Sequence, residues 1–439
     1  MVKMNQKKIL FTTCYVNGKL YDYWESNTKS NFFRLTYTRR ISFGLRFIKE
    51  NLPQIEILEY PTLDEYKEKI KNNNYDVIGF SFYTNEINEI IDMIKYAKKH
   101  GVKEIWGGNY GVLNKETNKH FDKIFLGYAE EEIAKELNIK LGQVKHAPLV
   151  VYSGMPIGIH FSHIGQLQTS RGCNIGCEVC QTPVFCSKVS AIPIKSIENV
   201  LKKYKEIDVN ELIIFDENFG LLKEHTDKAT LLLKKYGFCW NPMTRVDFLN
   251  QNLEKWVDRG LGGALIGIES LSQDNLNSIK KRLSTEETKE LVKKMKEKEL
   301  FIIGYYMIGF ENDTIESVKR DIKELKELDL DMYQICVMTP YPGSRLYSRL
   351  SAKYGIFDTN YKNYDAKHLV WNHPNITPKE MEKLLDYCFK TIYTKGSFLS
   401  TLRKFRRKYK NMYGYWGLGH IIKSLYSANK AFYIDKIDN

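Results

Sequence analysis

Three cysteines lie close together in the segment TSRGCNIGCEVCQTP, at the spacing Cys173-x-x-x-Cys177-x-x-Cys180. Thiolates bind iron well, and a short glycine-containing loop can wrap several of them around one iron–sulfur cube. A four-iron cube held entirely by protein uses four cysteines, so three cysteines leave one iron open to another ligand. The spacing therefore predicts a cluster-binding loop whose metal ligands are Cys173, Cys177 and Cys180.

Two other interpretations of these cysteines remain open from the sequence. A structural zinc ion prefers four ligands, and Cys186 is available as the fourth. Alternatively, the thiols are free and only pack, although three cysteines within eight residues are more typical of metal binding. The other four cysteines are interpreted as small apolar or loop side chains: Cys14, Cys239, Cys336 and Cys388.

The cysteine loop belongs to a long series of alternating strands and helices. Between residues 166 and 350, six apolar strand candidates are separated by amphipathic helices, which predicts a partial (β/α)6 barrel. Residues 1–140 form an earlier α/β series, which predicts a doubly wound parallel sheet. Residues 141–165 are rich in Gly and Pro and are interpreted as a linker with room for one strand, and residues 351–439 as a small, mostly helical region.

Polar residues stand at the ends of the barrel strands, in DENF, MTRVDF, LIGIES and IGFENDT. Together with the cysteine loop, these motifs resemble the radical S-adenosylmethionine (SAM) superfamily over roughly residues 160–350. In that superfamily a [4Fe-4S] cluster cleaves SAM reductively, and the radical so formed removes hydrogen from unactivated carbon. The resemblance implies both cofactors and assigns cofactor contacts to Asp216, Asn218, Arg245, Glu269, Ser270 and Ile308.

The resemblance also implies a role for each position. Arg245 matches a residue that faces the SAM carboxylate, and Glu269 and Ser270 match residues near the SAM amino group and ribose. Ile308 begins the motif that contacts adenine, although Glu-Asn-Asp-Thr replaces its usual Pro-Gly-Glu-Thr. Val179 departs from the aromatic residue that usually precedes the third cysteine.

The N-terminal series is similar to the cobalamin-binding domain of one large radical SAM subfamily, on the segments VIGFSFYTNE, EIWGGNYG and IFLGYAEEE. Glycines at strand ends let a flat macrocycle approach the backbone. The chain has no Asp-x-His-x-x-Gly motif, so no histidine is evident as a lower cobalt ligand. The resemblance implies cobalamin contacts at Ser81, Thr84, Gly107, Gly108, Gly127 and Glu130, and the alternative is a domain that keeps the fold without cobalamin.

Three functions follow from these interpretations. The leading hypothesis is a cobalamin-dependent radical SAM methyltransferase that acts on an unactivated carbon. The second is a cobalamin-free radical SAM enzyme that catalyses cyclisation, carbon–carbon coupling or thioether formation. The third is a zinc-stabilised nucleic-acid-binding protein, which the basic charge suggests and the ordered strand-end motifs disfavour.

Charge and hydropathy bound the partners and the location. The net charge of +13 is spread over Lys-rich helical faces, so we expect no nucleic-acid partner. No apolar run is long enough for a signal peptide or a membrane span, so the expected location is the cytoplasm. We expect a small-molecule, lipid or peptide substrate and an electron donor such as flavodoxin or ferredoxin. The basic tail RKFRRKYK, from Arg403 onward, is a candidate for peripheral contact with an anionic membrane.

Overall fold

The computed structural model describes residues 7–16, 37–38, 41–155 and 159–393. The strands of these residues are β1 (Ile9–Thr13), β2 (Tyr37–Thr38), β3 (Glu56–Leu58), β4 (Val77–Ser81), β5 (Glu104–Gly108), β6 (Lys123–Phe125), β7 (Val150–Met155), β8 (Ile159–Leu167), β9 (Ser170–Arg171), β10 (Ser190–Ala191), β11 (Glu211–Ile214), β12 (Cys239–Thr244), β13 (Gly263–Glu269), β14 (Phe301–Ile308) and β15 (Met332–Val337).

The α-helices of the same residues are α1 (Phe43–Asn51), α2 (Leu63–Lys71), α3 (Ile87–Lys99), α4 (Lys115–Asn118), α5 (Glu130–Glu136), α6 (Thr182–Phe185), α7 (Ile194–Glu206), α8 (Lys223–Lys235), α9 (Val246–Asp258), α10 (Gln273–Ser278), α11 (Thr285–Glu297), α12 (Ile315–Glu327), α13 (Arg345–Lys353) and α14 (Pro378–Ile392). Short 3-10 helices cover Thr84–Glu86, Tyr110–Leu113 and Tyr361–Asn363.

The N-terminal strands form a parallel five-stranded sheet in the order β3-β1-β4-β5-β6. Strand β4 is a continuous apolar run, as expected of a parallel strand covered on both faces, and separate apolar clusters fill the space on the two sides of the sheet. The strand order reverses between β1 and β4. In a doubly wound sheet, ligands bind in the crevice at the carboxyl ends of the strands beside such a reversal.

The second sheet has eight strands in the order β15-β14-β13-β12-β11-β8-β7-β2. The six strands from β8 to β15 in this sheet are mutually parallel and are separated in the chain by helices, which confirms the predicted partial barrel. Strand β7 extends the sheet antiparallel to β8, and β2 pairs antiparallel with β7 at the sheet edge. The stretch interpreted as a linker, residues 141–165, thus contributes β7 and most of β8 to the barrel sheet.

Along each barrel strand, the side chains point alternately to a face that helices cover and to the inner face of the barrel. On the covered side, Trp240 of β12 and Trp256 of α9 pack on Phe219, with ring centroids 5.0–5.8 Å apart. Helices α11 and α12 each begin with a capping box, which fixes where the chain turns back from the preceding loop. The loops at the carboxyl ends of the strands are therefore held at one edge of the barrel, where its motifs lie.

Helix α14 covers the far edge of the barrel. Thr377 and Glu380 form its capping box, and Met381, Leu384 and Cys388 are buried in the barrel core cluster. The region predicted as mostly helical, 351–439, is described only as far as Tyr393. Residues 394–439, which include the basic tail at Arg403, lie outside the described residues. Within the described part of the chain, no helix is both long and apolar enough to cross a bilayer.

Candidate functional site

The cysteine loop runs from β9 to α6 and is held by close backbone contacts. Gly172 has φ +83°, and a Cβ there would lie 2.3 Å from the Lys188 carbonyl oxygen, so this position requires glycine. The Gly172 N–H donates to Glu217 Oε2 at 3.0 Å, and the Cys173 N–H donates to the Cys186 carbonyl at 3.1 Å. The chain thus enters the loop in one defined conformation.

Cys173, Cys177 and Cys180 are partly buried free thiols on this loop. The Thr182 N–H donates to Cys180 Sγ at 3.4 Å, a contact that favours a thiolate. Burial raises the pKa of Cys173 and Cys180, so these thiols need a positive partner to be held deprotonated. Iron supplies that charge, and the set of three sulfur donors fits an iron–sulfur cluster better than a hard cation.

The geometry also addresses the zinc interpretation. Among the described residues, no three His, Cys, Asp or Glu side chains converge on a point where one metal ion would sit. Cys186, the candidate fourth ligand, donates its thiol hydrogen to the Lys188 carbonyl at 3.4 Å. A cube differs from a single ion because each cysteine binds a separate iron, so its ligands need not meet at one point.

Asp216 lies directly after β11 and anchors the chain that leads into the cysteine loop. Its buried carboxylate accepts from the backbone N–H groups of Thr169 (2.6 Å) and Ser170 (3.0 Å) and from both hydroxyls (2.6 Å each). Burial raises the pKa of Asp216 to about 6, although these hydrogen bonds act in the opposite direction. The structure therefore places this predicted cofactor contact against the protein backbone.

A chain of hydrogen bonds runs from Asn218 through Arg245 and Lys281 to Glu269. Asn218 Oδ1 accepts from the Arg245 N–H at 3.3 Å, and Arg245 Nη1 donates to the Lys281 carbonyl at 2.9 Å. Lys281 Nζ donates to Glu269 Oε1 at 2.5 Å. Arg245 Nε also donates to Asp247 at 3.0 Å. Three strand ends that are distant in sequence thus meet at one place.

Two features of this group fit a bound polar molecule. Asn218 is 4% exposed, and the described residues offer its Nδ2 group no hydrogen-bond partner. Glu269 has φ +65°, and a Cβ at Gly267 would lie 2.4 Å from its carboxylate oxygen, so the backbone directs this carboxylate into a defined position. An unsatisfied donor at Asn218 and an oriented carboxylate at Glu269 suit the amino-acid portion of SAM.

Ser270 and Ile308 lie in a more buried layer. Ser270 is 2% exposed and its hydroxyl accepts from the Ser272 N–H at 3.1 Å. Ile308 is 1% exposed, and its carbonyl accepts from the Met338 N–H at 2.8 Å. Their contacts as described are therefore within the protein.

A cavity of about 590 Å³ lies between the first sheet and the barrel. From the first sheet it is lined by aromatic rings and by five of the six residues expected to contact cobalamin: Ser81, Gly107, Gly108, Gly127 and Glu130. Thr84, the sixth, does not line it, because this residue is 2% exposed at the start of a 3-10 helix. From the barrel side, Asp216, Glu217 and Thr182 reach the same cavity.

The glycines of this cavity have different surroundings. A Cβ at Gly107 would lie 2.8 Å from the Phe121 ring, whereas a Cβ at Gly108 would first meet the Phe125 carbonyl at 3.6 Å, an ordinary contact. Gly127 has φ +87° and follows β6. Of Gly107, Gly108 and Gly127, Gly108 is thus the one where a larger side chain would occupy cavity space with least disturbance of the fold.

Glu130 joins the two parts of the chain. Its carboxylate accepts two hydrogen bonds from Arg171, at 2.9 and 3.0 Å, and both side chains are nearly inaccessible. The Arg171 guanidinium also lies over the rings of Phe47 (4.3 Å) and Tyr128 (4.2 Å). Arg171 is two residues before Cys173, so this pair connects the cavity wall directly to the cysteine loop.

Sequence reasoning missed several residues of this site. Arg171 and Glu178 are charged residues beside the three cysteines, and that proximity was the available signal for both. Tyr128 donates its hydroxyl hydrogen to Glu217, the residue that also accepts from Gly172. No sequence pattern marks Lys281 as a partner of Glu269, because the two meet only through the β13 turn.

A partial six-stranded barrel, a three-cysteine loop after its first strand and polar residues after the following strands together define a radical SAM domain. Residues 167–325 match the family model of the Radical SAM superfamily. Residues 167–325 therefore form a radical SAM domain, and the predictions of a radical SAM enzyme and of a [4Fe-4S] cluster and SAM as its cofactors are confirmed.

Individual relatives extend the similarity beyond the barrel. An uncharacterised methyltransferase of Pyrococcus horikoshii is 29% identical over 389 residues, which cover 77% of this chain and 83% of the relative. The bacteriochlorophyllide d C-8(2)-methyltransferase of Chlorobaculum tepidum is 24% identical over 373 residues, with the same coverage.

Among solved structures, the radical SAM methyltransferase TsrM of Kitasatospora setae, determined with cobalamin and a [4Fe-4S] cluster, matches with a TM-score of 0.62. That match covers 98% of this chain and 100% of TsrM at 11% identity, so it shows a shared fold for both parts of the chain.

Proposed function

We propose that this chain is a cobalamin-dependent radical SAM methyltransferase that acts on an unactivated carbon. The observation that carries the proposal is the cavity between the first sheet and the barrel, which Gly108 and Ser81 line from one side and Glu217 and Asp216 from the other. A cofactor bound there would face the barrel that holds the cysteine loop. The names of both relatives and of TsrM support methyl transfer.

The residues of the cavity fit a corrin. Its wall combines glycine strand ends with aromatic rings such as Trp106 and Tyr110, a lining typical of sites for flat cofactors. Among the described residues that line it, none is a histidine. When bound, cobalamin would supply the methyl group, and the cluster with SAM would supply the radical that activates the substrate.

The residues of this chain would position those groups. Cys173, Cys177 and Cys180 would hold the cluster, and Asn218 and Glu269 would orient SAM through its polar end. Arg171 and Glu130 would keep the cavity wall and the cysteine loop in register. The aromatic wall would exclude water from the space between the two cofactors.

The decisive measurement is the ultraviolet–visible spectrum after anaerobic reconstitution with iron, sulfide and hydroxocobalamin. We expect the protein to retain a corrin as well as the cluster. Gly108→Leu should block corrin retention but keep the iron, while Gly142→Leu, at an exposed glycine with open space around it, should retain both. Iron without any corrin in the unmodified protein would instead support a cobalamin-free radical SAM reaction.

We further propose a small-molecule, lipid or peptide substrate, a low-potential electron donor such as flavodoxin or ferredoxin, and a cytoplasmic location.

The tail from Arg403 to Lys410, with six basic residues among eight, supports contact with an anionic surface. Wild-type protein should bind anionic vesicles at low salt, and replacement of Arg403, Arg406 and Arg407 by Gln should abolish that binding. Wild type that ignores such vesicles would argue against a membrane-associated substrate.

A further inference from the structure

Glu178, between the second and third cysteines, makes contacts that the site described above does not use. It is 6% exposed, and its carboxylate accepts from Lys280 Nζ at 2.7 Å and from Arg349 Nε at 2.9 Å. Its backbone takes part as well. The Glu178 N–H donates to the Ile279 carbonyl, and the Glu178 carbonyl accepts from the Leu346 N–H, both at 3.0 Å.

The partners of Glu178 come from distant parts of the barrel. Ile279 and Lys280 follow α10, in the connection after β13, while Leu346 and Arg349 belong to α13, after β15. The cysteine loop itself comes after β8. Because β8 and β15 are the first and last parallel strands and do not pair with each other, Glu178 links the two sides of the barrel that the sheet leaves unjoined.

The same cluster reaches the end of β14. Arg349 also donates to Glu311, in the turn after β14, and Lys353 lies 3.3 Å from Glu311. The side chains of Glu178 and Glu311 are each only 8% exposed. Buried ion pairs add little net stability compared with apolar packing, but removal of one partner leaves a costly unpaired charge. The cluster joins the cysteine loop, α13 and the turn after β14 through these pairs.

That arrangement bears on the iron–sulfur cluster. Lys280 is adjacent to Lys281, whose ammonium group binds Glu269 at the SAM site. Glu178 therefore holds the segment from Cys177 to Cys180 against the chain that carries this pair. We propose that Glu178 is a positioning residue, which sets the orientation of the open iron relative to the residues that bind SAM.

This inference requires the radical SAM chemistry of the barrel and is independent of cobalamin. It is tested with Glu178→Gln, Glu178→Asp and Arg349→Met in reconstituted full-length protein. The matched control is Glu324→Gln, which removes an exposed pair with Lys289 on the outer helices. The readouts are iron per chain, the thermal midpoint, SAM affinity, and the electron paramagnetic resonance spectrum of the reduced cluster with and without SAM.

We expect Glu178→Gln and Arg349→Met to keep their iron but to bind SAM about tenfold more weakly, with a smaller change in the spectrum when SAM is added. Glu178→Asp, which keeps the charge, should be intermediate. The double variant Glu178→Gln/Arg349→Met should weaken SAM binding by less than the product of the two single effects, because both changes remove the pair between Glu178 and Arg349. Glu324→Gln should match wild type.

Two results would overturn the inference. One is an unchanged spectrum and unchanged SAM affinity in folded Glu178→Gln. The other is a lower thermal midpoint with normal SAM binding, which would make the cluster of charges purely structural. If Glu178→Gln does not fold, Lys280→Met decides by the same criteria, because it removes an ion pair of Glu178 and leaves the pair of Arg349 with Glu311 in place.

Discussion

At the scale of single residues, the candidate site consists of ionisable and polar side chains that are partly buried. Burial raises the pKa of the Cys173 and Cys180 thiols, so these thiols are protonated unless a cation stabilises the thiolate. Bound iron provides that stabilisation. Asn218 presents a buried donor without a partner among the described residues, and hydrogen bonds through Arg245 and Lys281 link it to Glu269. These side chains are arranged for ligands more than for packing.

Replacement of Cys173, Cys177 and Cys180 together by Ala should remove the cluster and SAM cleavage but leave a folded protein, because the thiols lie on a loop outside the core. Iron analysis, circular dichroism and 5′-deoxyadenosine formation with a reductant check this. Cys186→Ala is the control and should retain the cluster, since the Cys186 thiol donates to the Lys188 carbonyl. Production of 5′-deoxyadenosine by the triple variant would disprove the assignment of the metal ligands.

Glu269→Gln and Arg245→Ala should each weaken SAM binding without loss of iron. A lost hydrogen bond to a charged group costs about 1.5–3 kcal/mol, which corresponds to roughly ten- to hundredfold in the SAM dissociation constant. Equilibrium binding to the reconstituted protein measures this, with exposed Glu290→Gln as the control. Wild-type affinity in both variants would remove these residues from the SAM site.

At the scale of elements, Asp216 couples two neighbouring strands at their carboxyl ends. It follows β11 and receives four hydrogen bonds from Thr169 and Ser170, which connect β8 to the cysteine loop. His225 Nε2 lies 2.9 Å from the Thr169 carbonyl and adds a contact from α8. The loop that holds the cluster is therefore supported by an element that comes after it in the chain.

The pKa of Asp216 leads to a prediction about stability and pH. Burial raises this pKa from 3.8 to about 6. The folded state therefore binds the Asp216 proton more tightly than the unfolded state. The contribution of this proton to the stability of the folded state is complete below pH 3.8, and it is lost as the pH rises through about 6. Asp216→Asn cannot ionise and should lack this contribution.

As the pH rises from 4 to 7, wild type should therefore lose unfolding free energy relative to Asp216→Asn. Urea titration at each pH measures this difference. Exposed Asp258→Asn serves as the control, because its partner Lys234 lies on the surface. A difference that stays constant over this range would show that Asp216 has an ordinary pKa in the folded protein.

At the scale of the whole molecule, the two α/β parts are joined next to their functional loops. The buried pair of Arg171 and Glu130 connects β9 to the first turn of α5, and Tyr128 reaches Glu217 across the same boundary. Strand β2, from the N-terminal part of the chain, also pairs with β7 at the edge of the barrel sheet. The position of the cavity relative to the cysteine loop thus depends on these contacts.

Arg171→Met should destabilise the protein by about 3–5 kcal/mol, because it leaves the Glu130 carboxylate buried without its partner. Chemical unfolding measures the loss. Arg171→Met combined with Glu130→Gln should recover much of it, since the buried charge is gone. Lys234→Met breaks an exposed pair and should cost less than about 1 kcal/mol. Equal effects of Arg171→Met and Lys234→Met would show that the pair between the two parts is not important.

The amino-acid sequence by itself determined the elements and the chemistry. Apolar periodicity located the six barrel strands, and the spacing of Cys173, Cys177 and Cys180 indicated the cluster loop, because both signals are local. Motif resemblance also identified Ser81, Gly107 and Gly108, which line one cavity. Local signals are sufficient here because strand ends in a parallel sheet meet at a common edge.

Only the tertiary structure decided which side chains contact one another. Asp216 and Arg245 bond to protein groups, Thr84 lies outside the cavity, and Lys281, Arg349 and Arg171 are partners of site residues. These pairs join residues between 12 and 171 positions apart in the chain. Their geometry arises from the curvature of the barrel and the docking of the two parts, which are properties of the packed molecule and not of any segment.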